Sequence, residues 1–190
     1  MYTYAIEKAI QAATVLHHGQ MRKGRVPIPY VSHLFSVFLL VRDYTDDEST
    51  LIAALLHDTL EDTDYTEAAL REDFGSTVAT IVLALSEDKS IVDWKARKQA
   101  YLQNVPTGGE PALLIAAADK IHNMRSMIEQ YHDDEASYQT DFAHYQTHGH
   151  IFFQELENLL TARLESDIVH EFQHVLSEFT TFNQHATQTH

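Results

Sequence analysis

Apolar residues recur at helical spacing along almost the whole chain. In the first segment, Ile6, Ala9, Ala13 and Leu16 share one face of a helix, since three or four residues separate each from the next. No segment shows the two-residue alternation that is typical of a half-buried strand. The chain also has only 6 Gly and 4 Pro, so few residues interrupt a helix. The pattern therefore predicts an all-α helical bundle.

The breaks in this pattern divide the chain into helices and loops. We expect helices at about 4–17, 32–43, 48–59, 66–74, 76–85, 94–104, 110–131, 138–165 and 167–182. Thr66 is expected to cap the fourth of these helices. The loops include 19–29, which holds two prolines, a polar connection at 132–135 and a polar tail at 183–190. No repeat or linker divides the chain, so we expect a single domain over residues 1–190.

Charge and composition narrow the possible partners. The net charge is −15, from 13 Lys and Arg against 28 Asp and Glu, which disfavours nucleic acid as a partner. All basic residues except Arg163 lie at or before Arg125, so a local basic pocket for a small phosphate ligand stays possible.

No apolar run approaches the ~20 residues of a membrane span, and the N-terminal residues do not resemble a secretory signal. Cysteine is absent, which excludes thiolate metal sites and disulfides. We expect a cytoplasmic protein without a membrane partner.

The segment His57-Asp58-Thr59-Leu60-Glu61-Asp62, at the end of an apolar run, carries candidate chemistry. His and Asp are ligands of divalent metals. Glu61 and Asp62 follow His57 and Asp58 at i+4, so one helical turn places a second carboxylate layer beside the ligands. That second pair can orient a water molecule or accept its proton. Because adjacent residues on a helix point about 100° apart, both His57 and Asp58 can reach one ion only near a helix end.

Two distant residues could complete such a site. His33 lies upstream and Asp119 lies downstream, in the order His…His-Asp…Asp that is typical of HD-type metal phosphohydrolases. Two His and two Asp offer nitrogen and oxygen donors without sulfur, which suits manganese, iron or zinc better than calcium or magnesium. The spacing does not choose among these three metals. We do not expect His17, His18 or His122 to be ligands.

Several motifs in a fixed order extend this pattern. They are His17-His18-Gly19-Gln20-Met21-Arg22-Lys23, the His57–Asp62 segment, Arg97-Lys98 and Ala118-Asp119-Lys120-Ile121-His122-Asn123. With them the chain resembles the hydrolase domain of the RelA/SpoT alarmone enzymes, especially the small stand-alone forms. The resemblance covers an HD core at about 4–131, and the C-terminal helices at about 137–182 diverge from the family.

The resemblance implies an activity and assigns residues to it. It implies a manganese-dependent 3′-pyrophosphohydrolase of guanosine 3′,5′-bis(diphosphate) and its pentaphosphate analogue, with one ion per chain. The implied metal ligands are His33, His57, Asp58 and Asp119. Glu61 and Asp62 are the implied catalytic pair, and which of the two is the base stays open. The implied substrate-binding residues are Arg22, Lys23, Tyr30, Arg97, Lys98 and Asn123.

The divergent C-terminal third keeps other functions open. Stand-alone alarmone hydrolases continue with a Tyr and a basic residue that help to close over the nucleotide. Here Tyr145 could supply the Tyr, but no Lys or Arg lies between Arg125 and Arg163. One alternative is an HD phosphohydrolase that acts on another nucleotide or a phosphorylated metabolite. The other is a metal- or nucleotide-binding module without turnover. The oligomeric state is not indicated by the sequence.

Overall fold

The fold is helical, as the apolar pattern predicts. A computed structural model describes residues 3–188, except for the side chains of 137, 146–147 and 185–188. The helices are α1 (Tyr4–Leu16), α2 (Val31–Arg42), α3 (Glu48–Leu56), α4 (Thr59–Asp62), α5 (Glu67–Leu85), α6 (Trp94–Asn104), α7 (Gly109–Asp133), α8 (Glu135–Asp141), α9 (His150–Arg163) and α10 (Ile168–Gln188). A 3₁₀ turn at Val105–Gly108 and a π-helical turn at Tyr145–Gly149 complete the regular structure of this part of the chain. Its β pairing is limited to an isolated bridge between Met21 and Pro29.

Side-chain caps define where several helices begin. Thr3, Asp47, Thr66 and Asp93 each accept a hydrogen bond from the backbone N–H three residues later, which satisfies a donor that the first turn leaves unpaired. The predicted cap at Thr66 is confirmed. The predicted break between the fourth and fifth helices is also present, because Gly75 has φ 85° inside α5.

Helix α7 lies at the centre and brings the candidate site together. It packs against α2, α3, α5, α9 and α10, and its Ala116-Ala117-Ala118 run is fully buried. Small side chains let neighbouring helices approach closely. The 3₁₀ turn passes between α5 and α7 at Gly108, where a Cβ atom would lie 2.7 Å from the Ala84 Cβ and 2.6 Å from the Ala112 Cβ. Because α2 and α3 both pack on α7, residues of all three helices meet at one point.

The C-terminal region differs from the predicted boundaries. The helix expected over 138–165 is interrupted, since α8 ends at Asp141 and the π-helical turn precedes α9. In that turn Tyr145 lies between Trp94 and Phe153, with ring centroids 5.7 Å from each. Apolar periodicity continues through the turn, so the sequence pattern does not show the interruption. The connection at 132–135 is also shorter than expected, since α7 runs through Asp133.

The polar tail predicted from Asn183 is wrong for the described residues. Helix α10 continues to Gln188, and Asn183 is buried. Its neighbour Phe182 packs edge-to-face on Tyr131 and Tyr138, which holds this end of α10 against α7 and α8. Residues 189–190 of the predicted tail lie outside the described residues. Among the residues that are described, no helix combines the length and apolar character that crossing a bilayer requires.

Candidate active site

The four predicted metal ligands meet at the centre of the bundle. His33 comes from the first turn of α2, His57 and Asp58 from the end of α3, and Asp119 from α7. His33 Nε2 lies 3.2 Å from Asp119 Oδ1 and 3.5 Å from Asp58 Oδ2. His57 Nε2 lies 3.2 Å from Asp58 Oδ2 and 3.9 Å from Asp119 Oδ1. The structure therefore brings together donor atoms that are more than 80 residues apart in sequence.

A break in the helix lets His57 and Asp58 face the same point. Helix α3 ends at Leu56, Asp58 has φ −95° and ψ −4°, and α4 begins at Thr59. The Thr59 hydroxyl donates to the Leu56 carbonyl oxygen at 2.6 Å, which pairs an acceptor that the helix end leaves free. On a continuous helix the two side chains would point about 100° apart. The expected helix end is thus present, three residues earlier than the predicted boundary at residue 59.

The protonation of this cluster fits a divalent cation. His57 Nδ1 lies 2.8 Å from the Ala54 carbonyl oxygen, so it carries the proton and leaves a lone pair on Nε2. That Nε2 atom is buried and has no hydrogen-bond partner. Burial also lowers the pKa of His33, which favours the neutral imidazole that binds metals. His57, His33 and Asp58 could hold an ion together, and Asp119 lies within reach of the same point.

The two carboxylates of the cluster are held in the ionised form. Burial opposes ionisation of Asp58 and raises its pKa, whereas the hydrogen bond that the Tyr30 hydroxyl donates to its carboxylate lowers that pKa. For Asp119, burial is outweighed by the adjacent Lys120 ammonium group, so its pKa lies well below the usual range. Ionised carboxylates beside neutral imidazole lone pairs repel one another unless a cation lies between them. The donor set therefore has both the identity and the charge that a divalent metal requires.

Neighbouring side chains orient these carboxylates. The Tyr30 hydroxyl donates to Asp58 Oδ2 at 2.7 Å. Asn123 Nδ2 donates to Asp119 Oδ1, and Lys120 Nζ donates to Asp119 Oδ2, both at 2.5 Å. Tyr30 and Asn123 were predicted as substrate-binding residues, and the structure places them against the candidate ligands as well as in the cavity wall. Such outer contacts fix the orientation of metal ligands.

His122 is a contact that the motif does not reveal. It is not among the three clustered donor residues, but its Nδ1 is 2.8 Å from His33 Nδ1. Burial and the neighbouring His33 lower its pKa to about 3, so it is neutral at physiological pH. His122 follows Asp119 by three residues, so the two side chains lie near the same face of α7. This spacing is the feature of the sequence that could have indicated the contact.

Glu61 and Asp62 lie in α4, one turn beyond His57 and Asp58. Burial and the nearby Asp58 raise the pKa of Glu61 to about 7. Glu61 Oε2 accepts a hydrogen bond from the Glu87 backbone N–H at 3.1 Å, whereas Asp62 Oδ1 accepts one from Lys89 Nζ at 2.6 Å. Both carboxylates line a cavity of about 510 Å³ that also exposes His33, Asp58 and Asp119.

Basic side chains form another part of the wall of this cavity. They are Lys23, Lys89, Arg97, Lys98 and Lys120. Arg97 Nε lies 3.1 Å from Glu87 Oε2, and the Lys98 ammonium pairs with the other oxygen of Glu87. The predicted substrate residues Arg97 and Lys98 therefore line the cavity, but the largely buried carboxylate of Glu87 already engages both.

A second cavity of about 410 Å³ adjoins the first and shares Lys23, Tyr30 and Asn123 with it. Arg22 lies in the wall of this second cavity, with its guanidinium 5.6 Å from the Tyr30 ring centroid. Its Nη2 donates to Asn123 Oδ1 at 3.2 Å. All six predicted substrate residues thus line one or both cavities. The second cavity is the less polar of the two, with Met21, Met127 and Phe142 in its wall.

The C-terminal region supplies the remaining part of the wall. Asp141, His144 and Tyr145 line the first cavity, and Trp94 from α6 stacks on His144 with ring centroids 6.2 Å apart. Sequence reasoning singled out only Tyr145 among these residues. Trp94 and His144 belong to no motif, and only the packing of the C-terminal helices on α6 brings them to the cavity.

The chain is similar to a known domain family and to several named proteins. The HD domain family matches residues 9–145, which extends past the expected core boundary near residue 131. A guanosine-3′,5′-bis(diphosphate) 3′-pyrophosphohydrolase MESH1 from Drosophila melanogaster is 36% identical over 132 residues, covering 67% of this chain and 73% of the relative. A GTP pyrophosphokinase from Streptomyces coelicolor is 37% identical over 125 residues, covering 64% of this chain but only 14% of the relative.

A solved structure, of a metazoan ortholog of SpoT that hydrolyzes ppGpp, has a TM-score of 0.77 to this chain. It is 24% identical in sequence, and the match covers 94% of this chain and 97% of that one. At this identity the likeness shows the fold alone. The family match over residues 9–145 and the 36% identity to the Drosophila protein over 67% of this chain show the family as well as the fold. The chain belongs to the HD domain family.

Proposed function

We propose that this protein is a metal-dependent 3′-pyrophosphohydrolase of guanosine 3′,5′-bis(diphosphate) and its pentaphosphate analogue. One observation carries the proposal: two His and two Asp converge beside Glu61 and Asp62 in a cavity with a basic wall. The Drosophila relative, of which the chain covers 73%, carries this activity in its name. The products would be GDP or GTP and pyrophosphate.

The HD domain implies a divalent metal, and we propose one ion per chain held by His33, His57, Asp58 and Asp119. Manganese is our first choice, because the nitrogen and oxygen donors suit it and the alarmone hydrolases that the chain resembles use it. Iron and zinc fit the same donors. When bound, the ion polarises a phosphoryl oxygen and makes a water molecule more acidic.

Glu61 and Asp62 differ in a way that suggests separate roles. Glu61 has a pKa of about 7, and its carboxylate lies 3.8 Å from Lys89 Nζ, farther than the 2.6 Å that separates Lys89 Nζ from Asp62 Oδ1. It can therefore accept a proton from the attacking water near neutral pH, although a bound cation lowers this pKa. Asp62 Oδ1 instead forms an ion pair with Lys89 Nζ at 2.6 Å. We assign Glu61 as the proton acceptor, and Asp62 as the residue that holds Lys89 in the cavity wall.

The reaction itself needs little more from the chain. The water oxygen bonds to the phosphorus next to the ribose, the bond from that phosphorus to the ribose 3′ oxygen breaks, and this oxygen gains a proton. Pyrophosphate is released. Lys89, Arg97 and Lys98 face the space that the diphosphate would occupy and can stabilise its negative oxygens. Arg22 and Tyr30 line the adjoining, less polar cavity, which suits a nucleoside.

A second candidate is an HD phosphohydrolase that acts on another nucleotide or a phosphorylated metabolite. The C-terminal part of the cavity wall favours it, because Asp141, His144 and Tyr145 provide no Lys or Arg there. Moreover, Glu87 already pairs with Arg97 and Lys98. The cavity therefore offers less free positive charge than its number of basic residues suggests. The third alternative, binding without turnover, leaves Glu61 and Asp62 without a role.

A turnover screen tests the proposal. Purified protein with Mn²⁺ would be incubated with guanosine tetraphosphate, the pentaphosphate and common nucleotides, and products separated by ion-exchange chromatography. We expect GDP and pyrophosphate from the tetraphosphate, and no turnover by Asp58→Asn. If the tetraphosphate survives while another nucleotide is cleaved, the second candidate stands. If the metal binds and no phosphate ester is cleaved, the protein is a binding module.

We also propose a cytoplasmic location, where free nucleotides occur.

A further inference from the structure

The two histidines His33 and His122 are joined by a hydrogen bond between like atoms. Their Nδ1 atoms lie 2.8 Å apart, and their ring centroids lie 4.8 Å apart at a tilt of 50°. His33 is buried in α2, with 1% of its side chain exposed, and His122 extends from α7. At this distance one nitrogen must carry a proton and donate, and the other must accept.

The candidate metal centre decides which nitrogen donates. His33 Nε2 faces Asp119 Oδ1 at 3.2 Å and Asp58 Oδ2 at 3.5 Å, so it is the atom of this ring that would bind an ion. An imidazole that binds a metal through Nε2 keeps its proton on Nδ1. His33 Nδ1 therefore donates, and His122 Nδ1 accepts. The remaining proton of His122 then lies on its Nε2.

We propose that His122 is a positioning residue of the metal centre. By accepting the hydrogen bond from His33 Nδ1, it fixes the tautomer and the ring orientation that present His33 Nε2 to the ion. This inference rests on the metal centre proposed above. Metal-binding histidines usually donate their second N–H to a carboxylate, a backbone carbonyl oxygen or a water molecule, and here a histidine nitrogen takes that place.

The second histidine ligand is held differently. His57 Nδ1 donates to a backbone carbonyl oxygen, that of Ala54, at 2.8 Å. That acceptor is present whatever the side chain at position 54. His33 instead depends on the side chain at position 122, so a substitution there should weaken one ligand and leave the other in place. This difference makes the role of His122 accessible to mutation.

Metal affinity measures the proposed role without any substrate. The Mn²⁺ dissociation constant of the full chain would be determined by competition with a fluorescent chelator. His122→Phe keeps an aromatic ring but removes the acceptor, and we expect a 10- to 100-fold weaker affinity. His122→Gln keeps an oxygen acceptor and should return the affinity to within a few-fold of wild type. The control is His170→Phe, a histidine with 81% of its side chain exposed on α10, which should bind as wild type does.

A second measurement does not depend on how the variants fold. In the wild-type protein loaded with diamagnetic Zn²⁺, ¹⁵N spectra should show His33 with its proton on Nδ1 and His122 with its proton on Nε2. A proton on His122 Nδ1 would overturn the proposal. So would a folded His122→Phe that binds Mn²⁺ as tightly as wild type, or a His122→Gln as weak as His122→Phe. Failure of the wild-type chain to bind any divalent metal would instead overturn the metal centre, and the role of His122 with it.

Discussion

His57 and Asp58 show how one local distortion creates a site. They are adjacent in sequence, and only the helix break between Leu56 and Thr59 turns both toward the same point. Each side chain is then fixed by one further contact. His57 Nδ1 donates a hydrogen bond to the Ala54 carbonyl oxygen, and Asp58 Oδ2 accepts one from the Tyr30 hydroxyl. These two contacts orient the donor atoms of His57 and Asp58 toward one point.

Removal of either residue should therefore remove the metal. We expect wild-type protein to retain about one transition-metal ion per chain after gel filtration, as the donor cluster of His33, His57 and Asp58 among the described residues implies. His57→Ala and Asp58→Ala should retain far less, since each deletes a donor. Elemental analysis measures this directly, with Asp64→Ala as the control, because Asp64 is an exposed acid close in sequence. Equal metal content in the wild type and both variants would show that the cluster is not a metal site.

The carboxylates of α4 should affect turnover and not metal content. Glu61→Gln is expected to keep the ion and lose about 10²- to 10⁴-fold in kcat, the usual contribution of a general base. Asp62→Asn should cost less, because it acts through Lys89. Initial rates and metal content would be measured on the same preparations. Near-normal rates in both variants would mean that the two acids are only solvated surface.

The sequence predicts this site unevenly, for physical reasons. His57, Asp58, Glu61 and Asp62 are recognisable because their i+4 spacing is local to one turn. His33 and Asp119 depend on the order of motifs along the chain. The bond from His33 to His122 and the pairing of Glu87 with Lys98 are absent from the sequence reading, since each joins side chains of elements that meet only in the folded chain.

Helix α6 and the C-terminal helices meet around one buried ammonium group. Lys98 pairs with Glu87, and its Nζ lies 5.0 Å from the Phe152 ring centroid and 5.6 Å from those of Trp94 and Tyr145. These rings come from α6, the π-helical turn and α9. A cation between aromatic faces and a carboxylate is stabilised from several sides. Lys98 therefore joins the C-terminal region to the core, whatever its contact with substrate.

Lys98→Met should accordingly destabilise the fold. Removal of the Lys98 ammonium group leaves the Glu87 carboxylate with less positive charge to offset its burial. Breaking such a buried pair typically costs about 3–5 kcal/mol. Urea unfolding at pH 7 measures the loss, with Lys95→Met as the control, because Lys95 is an exposed lysine on the same helix. A loss no larger than that of the control would mean that Lys98 is not an anchor.

The same variant carries a pH signature. Burial alone would raise the pKa of Glu87, but Lys98 and Lys120 outweigh it and lower that pKa below the ordinary 4.5. A carboxyl group whose pKa is lower in the folded than in the unfolded state stabilises the fold at pH values above its unfolded-state pKa. This stabilisation is lost as the pH falls through the folded-state pKa. The difference in unfolding free energy between wild type and Lys98→Met should be full at pH 7 and shrink below about pH 4.5. A difference that stays constant down to pH 3 would contradict the pairing.

Apolar periodicity predicts the helices of this protein better than it predicts their ends. The segments up to residue 131 follow the expected boundaries within a few residues. The C-terminal helices do not, because the turn at Tyr145–Gly149 keeps helical spacing while it changes the hydrogen-bond register. Aromatic contacts, such as those of Phe182 with Tyr131 and Tyr138, also extend α10 into a polar segment. Both features depend on tertiary packing, which the local sequence pattern does not indicate.

The distribution of charge over the whole molecule matches a small anionic ligand. The chain has a net charge of −15, yet five basic side chains line the cavity beside the candidate metal site. An acidic exterior repels polyanions such as nucleic acids, and a local basic wall still attracts a nucleotide that can enter the cavity. Six carboxylates line the same cavity, so it can attract a cation to its acidic side and a small anion to its basic side; the carboxylates are those of Asp58, Glu61, Asp62, Glu87, Asp119 and Asp141.

Lys23 tests whether this basic wall contributes to substrate binding. It lines both cavities, and its Nζ donates to the Asp141 carbonyl oxygen at 2.7 Å, an uncharged acceptor that leaves the positive charge available to a phosphate. Lys23→Ala should raise KM for guanosine tetraphosphate roughly 3- to 10-fold, equivalent to about 0.7–1.4 kcal/mol, with kcat and metal content close to wild type. The control is Arg25→Ala, an exposed cation of the same loop outside both cavities. Steady-state kinetics at fixed ionic strength separate the two variants, because loss of overall charge would affect them equally. An unchanged KM in Lys23→Ala, or the same increase in Arg25→Ala, would mean that Lys23 only ties its loop to the C-terminal region.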